Sequence, residues 1–396
     1  MSDPAAPAMP EEVLEIARTF ESAGHEAWCV GGALRDALLG HPHADYDFAT
    51  SATPAEVMRL FRRTAPVGEK YGTVGVLDRR RVLHEVTTFR RDVTTDGRHA
   101  VVAYGVSLDD DLARRDFTIN AIAYHPLRQE WRDPFGGRAD LERGLLRAVG
   151  DPAQRFREDY LRVLRGIRFA ARFGFTIEPG TWAAAVEAAP GLGRLSAERV
   201  RDEWFKGLRT ARSVPELVHL WREVGAAERW IPELAGVPAE RLARAGAISL
   251  ERRDPVLLSA LLLDDAAPVL RRLRASNAEI ERAAAIARGP AAPAAGDVRA
   301  VRRWLSSVGG AADDLLDLHA IRAGSPAAWS EQVAAVRDRR DPLTRGDLVI
   351  SGRDLQALGA SGPRIGELLG KLLDRVLDDP ALNTRDALLA LAREMT

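Results

Sequence analysis

Asp45 and Asp47 stand one residue apart in the run Ala44-Asp45-Tyr46-Asp47-Phe48. In extended backbone, residues two apart project from the same face, so both carboxylates point together and repel unless a cation lies between them. Oxygen ligands alone suit a hard divalent ion, Mg²⁺ above all. Just upstream, Ala27–Val30 reads as a short buried strand and Gly31-Gly32 as a turn where backbone can approach a ligand closely. Leu34 to Leu39 reads as helix, whose N-terminal amides suit a phosphate. A phosphate cradle followed by a cation-binding pair points to nucleotidyl transfer. Each short motif recurs by chance in other chains, so the weight rests on their joint occurrence.

Three further segments bear on that chemistry. Glu85, in His84-Glu85-Val86-Thr87-Thr88-Phe89, is either a third carboxylate for the cation or a solvated strand glutamate. In Arg114-Arg115-Asp116-Phe117-Thr118-Ile119-Asn120-Ala121 two arginines can neutralise a triphosphate bidentately, while Thr118 and Asn120 can hold a sugar hydroxyl. Taken by itself, the same run reads as a surface ion pair with Asp116 capping a helix. In Glu158-Asp159-Tyr160-Leu161-Arg162-Val163-Leu164-Arg165-Gly166-Ile167-Arg168, helical spacing puts Asp159 and Arg162 on one face. Arg165 and Arg168 continue that stripe, and Leu161, Leu164 and Ile167 form the apolar side. The default for such a stripe is a solvated basic face. An Asp beside an Arg also imitates a base edge: it accepts from an exocyclic amino group and donates to a ring nitrogen. That pairing admits cytosine and adenine and rejects uracil and guanine.

The elements that position these residues change character along the chain. An opening amphipathic helix carries Val13, Leu14, Ile16, Ala17 and Phe20. Strands are expected at Ala27–Val30, Tyr46–Thr50, Thr73–Leu77, Arg81–Thr88 and Ala121–Tyr124, with a helix over Pro54–Phe61 capped by Thr53. After Asp151 the pattern is helical to the end, interrupted by a linker at Gly289–Gly296 and a loop at Asp341–Asp347. The fold class is α+β: a mixed sheet flanked by helices, followed by all-α domains. With 56 basic and 57 acidic side chains in 396 residues, no global field attracts nucleic acid, so an RNA partner must meet local basic patches. Candidates are Arg199, Arg201, Lys206 and Arg209, then Arg337, Arg339, Arg340 and Arg345. The single cysteine, Cys29, lies in an apolar strand and permits no internal disulfide. No stretch reaches the ~20 apolar residues a membrane span requires. A cytoplasmic enzyme is the expectation, with no membrane and no obligate protein partner.

Taken together, these motifs resemble the class II tRNA nucleotidyltransferases, the CCA-adding enzymes, in order and spacing. The first family motif is similar to Gly31-Gly32-Ala33-Leu34-Arg35-Asp36 followed by Asp45-Tyr46-Asp47, and the second to Arg114–Ala121. The third resembles Asp133-Pro134-Phe135-Gly136-Gly137 with Asp140-Leu141, and the fourth Glu158-Asp159-x-x-Arg162 with Arg165 and Arg168. The fifth resembles Ser196-x-Glu198-Arg199-x-x-x-Glu203. The resemblance implies a nucleotidyltransferase head (1–150), a neck that selects the base (151–205), a helical body (206–288) and a tRNA-binding tail (297–396). It implies ATP and CTP as substrates, tRNA as partner and Mg²⁺ as cofactor, with metal-dependent transfer at Asp45 and Asp47; Glu85, from the strand reading above, is the candidate third catalytic carboxylate. Base choice would fall to Asp159 and Arg162, while Gly32, Arg35, Arg115, Arg165 and Arg168 contact the nucleotide or buttress the site.

Related activities are separated by other segments. Bacterial poly(A) polymerases carry a basic stretch where this chain has Val67-Gly68-Glu69-Lys70-Tyr71-Gly72-Thr73. CC-adding relatives lack a flexible loop between the first two motifs, which Arg91–Ser107 supplies here. No histidine is followed by aspartate, so no phosphohydrolase activity is expected. Full CCA addition is favoured. The alternatives, in order, are addition of the terminal A alone, poly(A) synthesis and RNA binding without catalysis; the first shares both loop and template residues with full CCA addition.

Overall fold

The structure is a computed structural model, and it describes residues 7–41, 46–68, 72–95, 100–289, 293 and 297–395. Asp45 therefore lies outside the described residues, as does most of the Gly289–Gly296 stretch. The chain divides into two compact units, Met1–Gly236 and Val237–Thr396.

The first unit opens with helix α1 (Glu11–Ser22) and then builds a seven-stranded mixed sheet. Its strands are β1 (Ala27–Val30), β2 (Asp47–Thr50), β3 (Thr64–Gly68), β4 (Thr73–Leu77), β5 (Leu83–Thr88), β8 (Ala123–His125) and β9 (Glu130–Arg132), in the order β3-β4-β5-β2-β1-β8-β9. Between β5 and β8 the chain makes a separate hairpin, β6 (Arg90–Thr95) with β7 (Ala100–Tyr104). Strand alternation feeds two cores. Ala27 and Cys29 face one with α1, and Trp28 and Val30 face the other. Helix α2 (Gly32–Leu38) follows β1, and α3 (Pro54–Leu60) starts at a capping box of Thr53 and Glu56. Helix α4 (Leu108–Ala113) inserts Leu108 and Leu112 into the second core.

β1 and β2 run antiparallel with Val30 opposite Asp47, and β2 runs parallel to β5 with Phe48 opposite Val86. This register brings Gly31, Asp47 and Glu85 to one end of the sheet. The five expected strands are all present, displaced by at most two residues at their ends. β3 and β9 went unread because they are the two edges: short, polar or proline-bearing edge strands carry little apolar alternation.

After α5 (Gly137–Glu142) the unit is helical: α6 (Pro152–Glu158), α7 (Leu161–Phe173), α8 (Pro179–Ala188) and α9 (Ala197–Thr210) lead it. One exception is the two-residue strand Thr176–Ile177, parallel to Leu145–Leu146. The expected continuous helix through Asp159 is not formed. Asp159 is extended (φ −154°), and its carboxylate accepts the Leu161 N–H at 3.0 Å, so a side chain outcompetes the helix and starts α7 afresh. Gly166 lets α7 pack closely on the sheet unit, since a Cβ there would sit 2.9 Å from the Phe117 ring.

The second unit is all-helical, with one core around Trp304 and Trp329 and another around Leu355, Leu368 and Leu388. Two of the basic residues expected to meet RNA are paired locally: Arg337 with Asp313 and Arg339 with Asp341. Among the described residues no helix is long and apolar enough to cross a membrane.

Candidate active site

A cleft of ≈ 680 Å³ opens in the first unit between the sheet end and α7. Asp47, Glu85, Gly31 and Gly32 line its floor, Arg114, Arg115, Asp116 and Asn120 one wall, and Asp159, Arg162, Arg165, Arg168 and Arg172 the other. Nine arginines and four carboxylates line the cleft, and Asp36, Asp111, Glu158 and Glu203 behind the lining pair with six of those arginines, which leaves a modest positive excess with one acidic corner. A polyanion is the matching ligand.

The acidic corner is Asp47 beside Glu85. Gly31 stands at φ +80°, and a Cβ on it would lie 3.3 Å from Asp47 Oδ2 and 3.7 Å from Arg115 Nη1. The glycine thus serves two needs: left-handed backbone and an open space between a carboxylate and a guanidinium. The neighbouring Cys29 is fully buried, and that burial, reinforced by the charge of Asp47, pushes its thiol up. Among the described residues no three His, Cys, Asp or Glu side chains are grouped to hold a metal. Asp47 and Glu85 supply two oxygen donors on adjacent strands, and the cradle left by Gly31 keeps space open at one of them. These donors fit a hard divalent cation.

Asp116 neither caps a helix nor lies on the surface; it is a buried hub. Oδ2 accepts from Arg165 Nε at 2.7 Å, and Oδ1 accepts from Asn120 Nδ2 at 2.9 Å and from the Phe117 N–H at 2.8 Å. Burial opposes its ionisation, but Arg165 and the Asn120 donor override it and hold the carboxyl at about 2. A group depressed in the folded state stabilises above its ordinary value of 3.8 and loses that contribution as pH falls towards 2. The shift corresponds to about 2 kcal/mol. Asp116→Asn should lower stability at pH 7 by about that amount, because the buried carboxylate's pairing with Arg165 is lost. Urea unfolding should show the gap between variant and parent narrowing as pH drops from about 4 towards 2.5; a constant gap would refute the ion-pair origin.

The neighbouring polar groups are engaged differently from the sequence expectation. Thr118 does not line the cleft; its hydroxyl donates to Asp140 at 2.7 Å. Asp133 caps α5 through the Gly137 and Arg138 amides, so the third motif braces the turn that carries Asn120. Arg35 is buried: Nε donates to Asp36 at 2.7 Å, Nη1 to Asn120 Oδ1 at 2.5 Å, and its guanidinium lies over Phe169 and Phe173.

On the α7 wall, Asp159 Oδ2 accepts from Arg199 at 2.8 Å. Arg162 donates to Glu158 at 2.8 Å and to the carbonyls of Arg155 and Arg114. Arg168 pairs with Glu203 at 2.5 Å and stacks on Phe169. The fifth motif on α9 thus fixes the side chains of the fourth. Arg199, expected on an RNA-facing patch, lines the cleft instead. Arg172, Arg90, Asp36 and Asp111 escaped the sequence reading as site residues. Arg172 was detectable, since it extends the 165, 168 spacing by one further turn and pairs with Asp36 at 2.7 Å. The pairs of Asp111 with Arg114 and Arg115 also lie at helical spacing; what the sequence hid is the burial of that carboxylate.

Comparison with known proteins follows the same lines. Residues 27–147 match the family model described as the poly A polymerase head domain, and residues 174–237 the one described as a probable RNA and SrmB-binding site of polymerase A. The chain is 35% identical to the CCA-adding enzyme of Geobacillus stearothermophilus over 97% of this chain and 96% of that one. It is 36% identical to that of Lactiplantibacillus plantarum over 96% and 94%. The crystal structure of Bacillus stearothermophilus CCA-adding enzyme in complex with CTP superposes with a TM-score of 0.83 at 34% identity, over 98% of both chains.

Proposed function

This chain belongs to the CCA-adding enzyme family of tRNA nucleotidyltransferases, and on that premise we propose that it adds C, C and A in turn to the 3′ end of tRNA from CTP and ATP, choosing each base with Asp159 and Arg162. The observation that carries this reading is convergence: Asp47, Arg115 and the Asp159/Arg162 pair all line one electropositive cleft. On this reading residues 1–150 form the catalytic head, 151–205 the base-selecting neck, 206–288 the body and 297–396 the tRNA-binding tail.

The reaction forms a bond from the tRNA 3′-hydroxyl oxygen to the α-phosphorus and breaks the α–β bridge, releasing pyrophosphate and a proton. Mg²⁺ would be held by Asp45 and Asp47, with Glu85 beside Asp47, and would supply charge neutralisation and a lowered hydroxyl pKa by two-metal catalysis. Arg115, with Arg114, meets the triphosphate. Arg165 and Arg168 complete the positive wall, and Gly32 leaves room for the phosphates. Arg35, engaged on Asp36 and Asn120, acts as a buttress. Asp159 keeps a lone pair on each oxygen after accepting from Leu161 and Arg199. Arg162 keeps its Nε–H and one Nη2–H after its three donations. The pair therefore retains two acceptor lone pairs and two N–H donors, enough for the one acceptor and one donor a base edge needs.

Single labelled nucleotides offered to tRNA ending at the discriminator base, at C or at CC test the function. CTP should be used on the first two and ATP on the third alone. Activity confined to ATP on the CC end would make this an A-adding specialist, and long A tails on any RNA would make it a poly(A) polymerase.

A further inference from the structure

We propose that Asp111, which does not line the cleft, is a positioning residue that locks Arg114 and Arg115 as a pair against the triphosphate. The proposal rests on the assignment of those arginines above. Asp111 sits on α4, whose start is fixed by the Ser107/Asp110 capping box. Its side chain is fully buried: Oδ1 accepts from Arg114 Nε at 2.9 Å and Nη2 at 2.8 Å, and Oδ2 accepts from Arg115 Nη2 at 3.2 Å.

Arg115 is held from its other end as well, Nη1 donating to the Asn120 carbonyl at 3.1 Å. Anchored at both terminal nitrogens, the guanidinium presents Nη1 at the space beside Gly31 that Asp47 Oδ2 also borders. One buried carboxylate therefore sets the direction of two cationic forks next to the acidic corner. A free arginine loses rotamer entropy when it is held, and orienting it in advance removes part of that cost from triphosphate binding. Burial disfavours the charged carboxyl, but Arg115 and Arg114 outweigh it and keep Asp111 ionised.

The test is a double-mutant cycle on the full-length protein, read as kcat/KM for CTP and ATP. Asp111→Asn should lower both by about 10- to 100-fold, mostly through KM. In an Arg114→Ala/Arg115→Ala background the same change should alter kcat/KM less than about twofold, and it should raise Tm because an unpaired buried charge is removed. An undiminished loss in that background would overturn the proposal, since Asp111 would then act through the fold alone. No loss in the parent would overturn it equally. If Arg114→Ala/Arg115→Ala itself leaves kcat/KM unchanged, the assignment of the arginines fails first, and the two failures are told apart. Should Asp111→Asn not fold, Asp111→Glu keeps the charge at a longer reach, and its smaller loss should vanish in the same background.

Discussion

Asp47→Ala is expected to reduce nucleotide incorporation by about 10³-fold or more, with the chain still folded. A cation ligand at the reacting phosphate contributes several kcal/mol of transition-state stabilisation, and each 1.36 kcal/mol is a factor of ten. The fold does not need this carboxylate: Asp47 is only half-buried at the first residue of β2, where β1 and β5 already pair the strand. The variant should thus show an unchanged far-UV signal and a Tm within a few degrees of the parent while turnover disappears. Retained turnover would remove the cation from Asp47. Asp45→Ala should behave alike, and Glu85→Ala more mildly, because Glu85 is solvent-exposed on β5.

The second large effect concerns the choice of base. Asp159→Ala and Arg162→Ala should each lower kcat/KM for CTP and ATP by about 10²-fold and shrink the advantage over UTP and GTP. A site that hydrogen-bonds its substrate rejects the mismatched edge by leaving buried polar groups unpaired. Truncating one partner removes both the attraction and the rejection. Arg162 should show the additional loss of its tie to the Arg114 carbonyl, and hence some loss common to all four nucleotides. Rates measured with each nucleotide on one tRNA check this. Selectivity left intact in both variants would move base choice elsewhere.

Much of this cleft was legible in the sequence because its parts are local. β1, the glycine turn, β2 and β5 follow from alternation and turn chemistry, and their register brings Gly31, Asp47 and Glu85 together. The stripe of Arg162, Arg165 and Arg168 follows from helical spacing. What periodicity missed depends on side chains competing with backbone or on partners far along the chain. The break at Asp159 turns on one carboxylate accepting one amide, and the burial of Asp116 depends on Arg165, 49 residues away. Asp111 is a mixed case: its arginine partners lie three and four residues on, but its burial within a short acidic run is set by α4 packing on the sheet.

The most direct measurement is a crystal structure of the chain with CTP. The cytosine amino group should lie within about 2.7–3.2 Å of an Asp159 carboxylate oxygen, and the ring nitrogen within that distance of an Arg162 N–H. The triphosphate should run along Arg115 towards Asp47. A cytosine ring seated without contact to Asp159 or Arg162 would contradict base choice by these side chains.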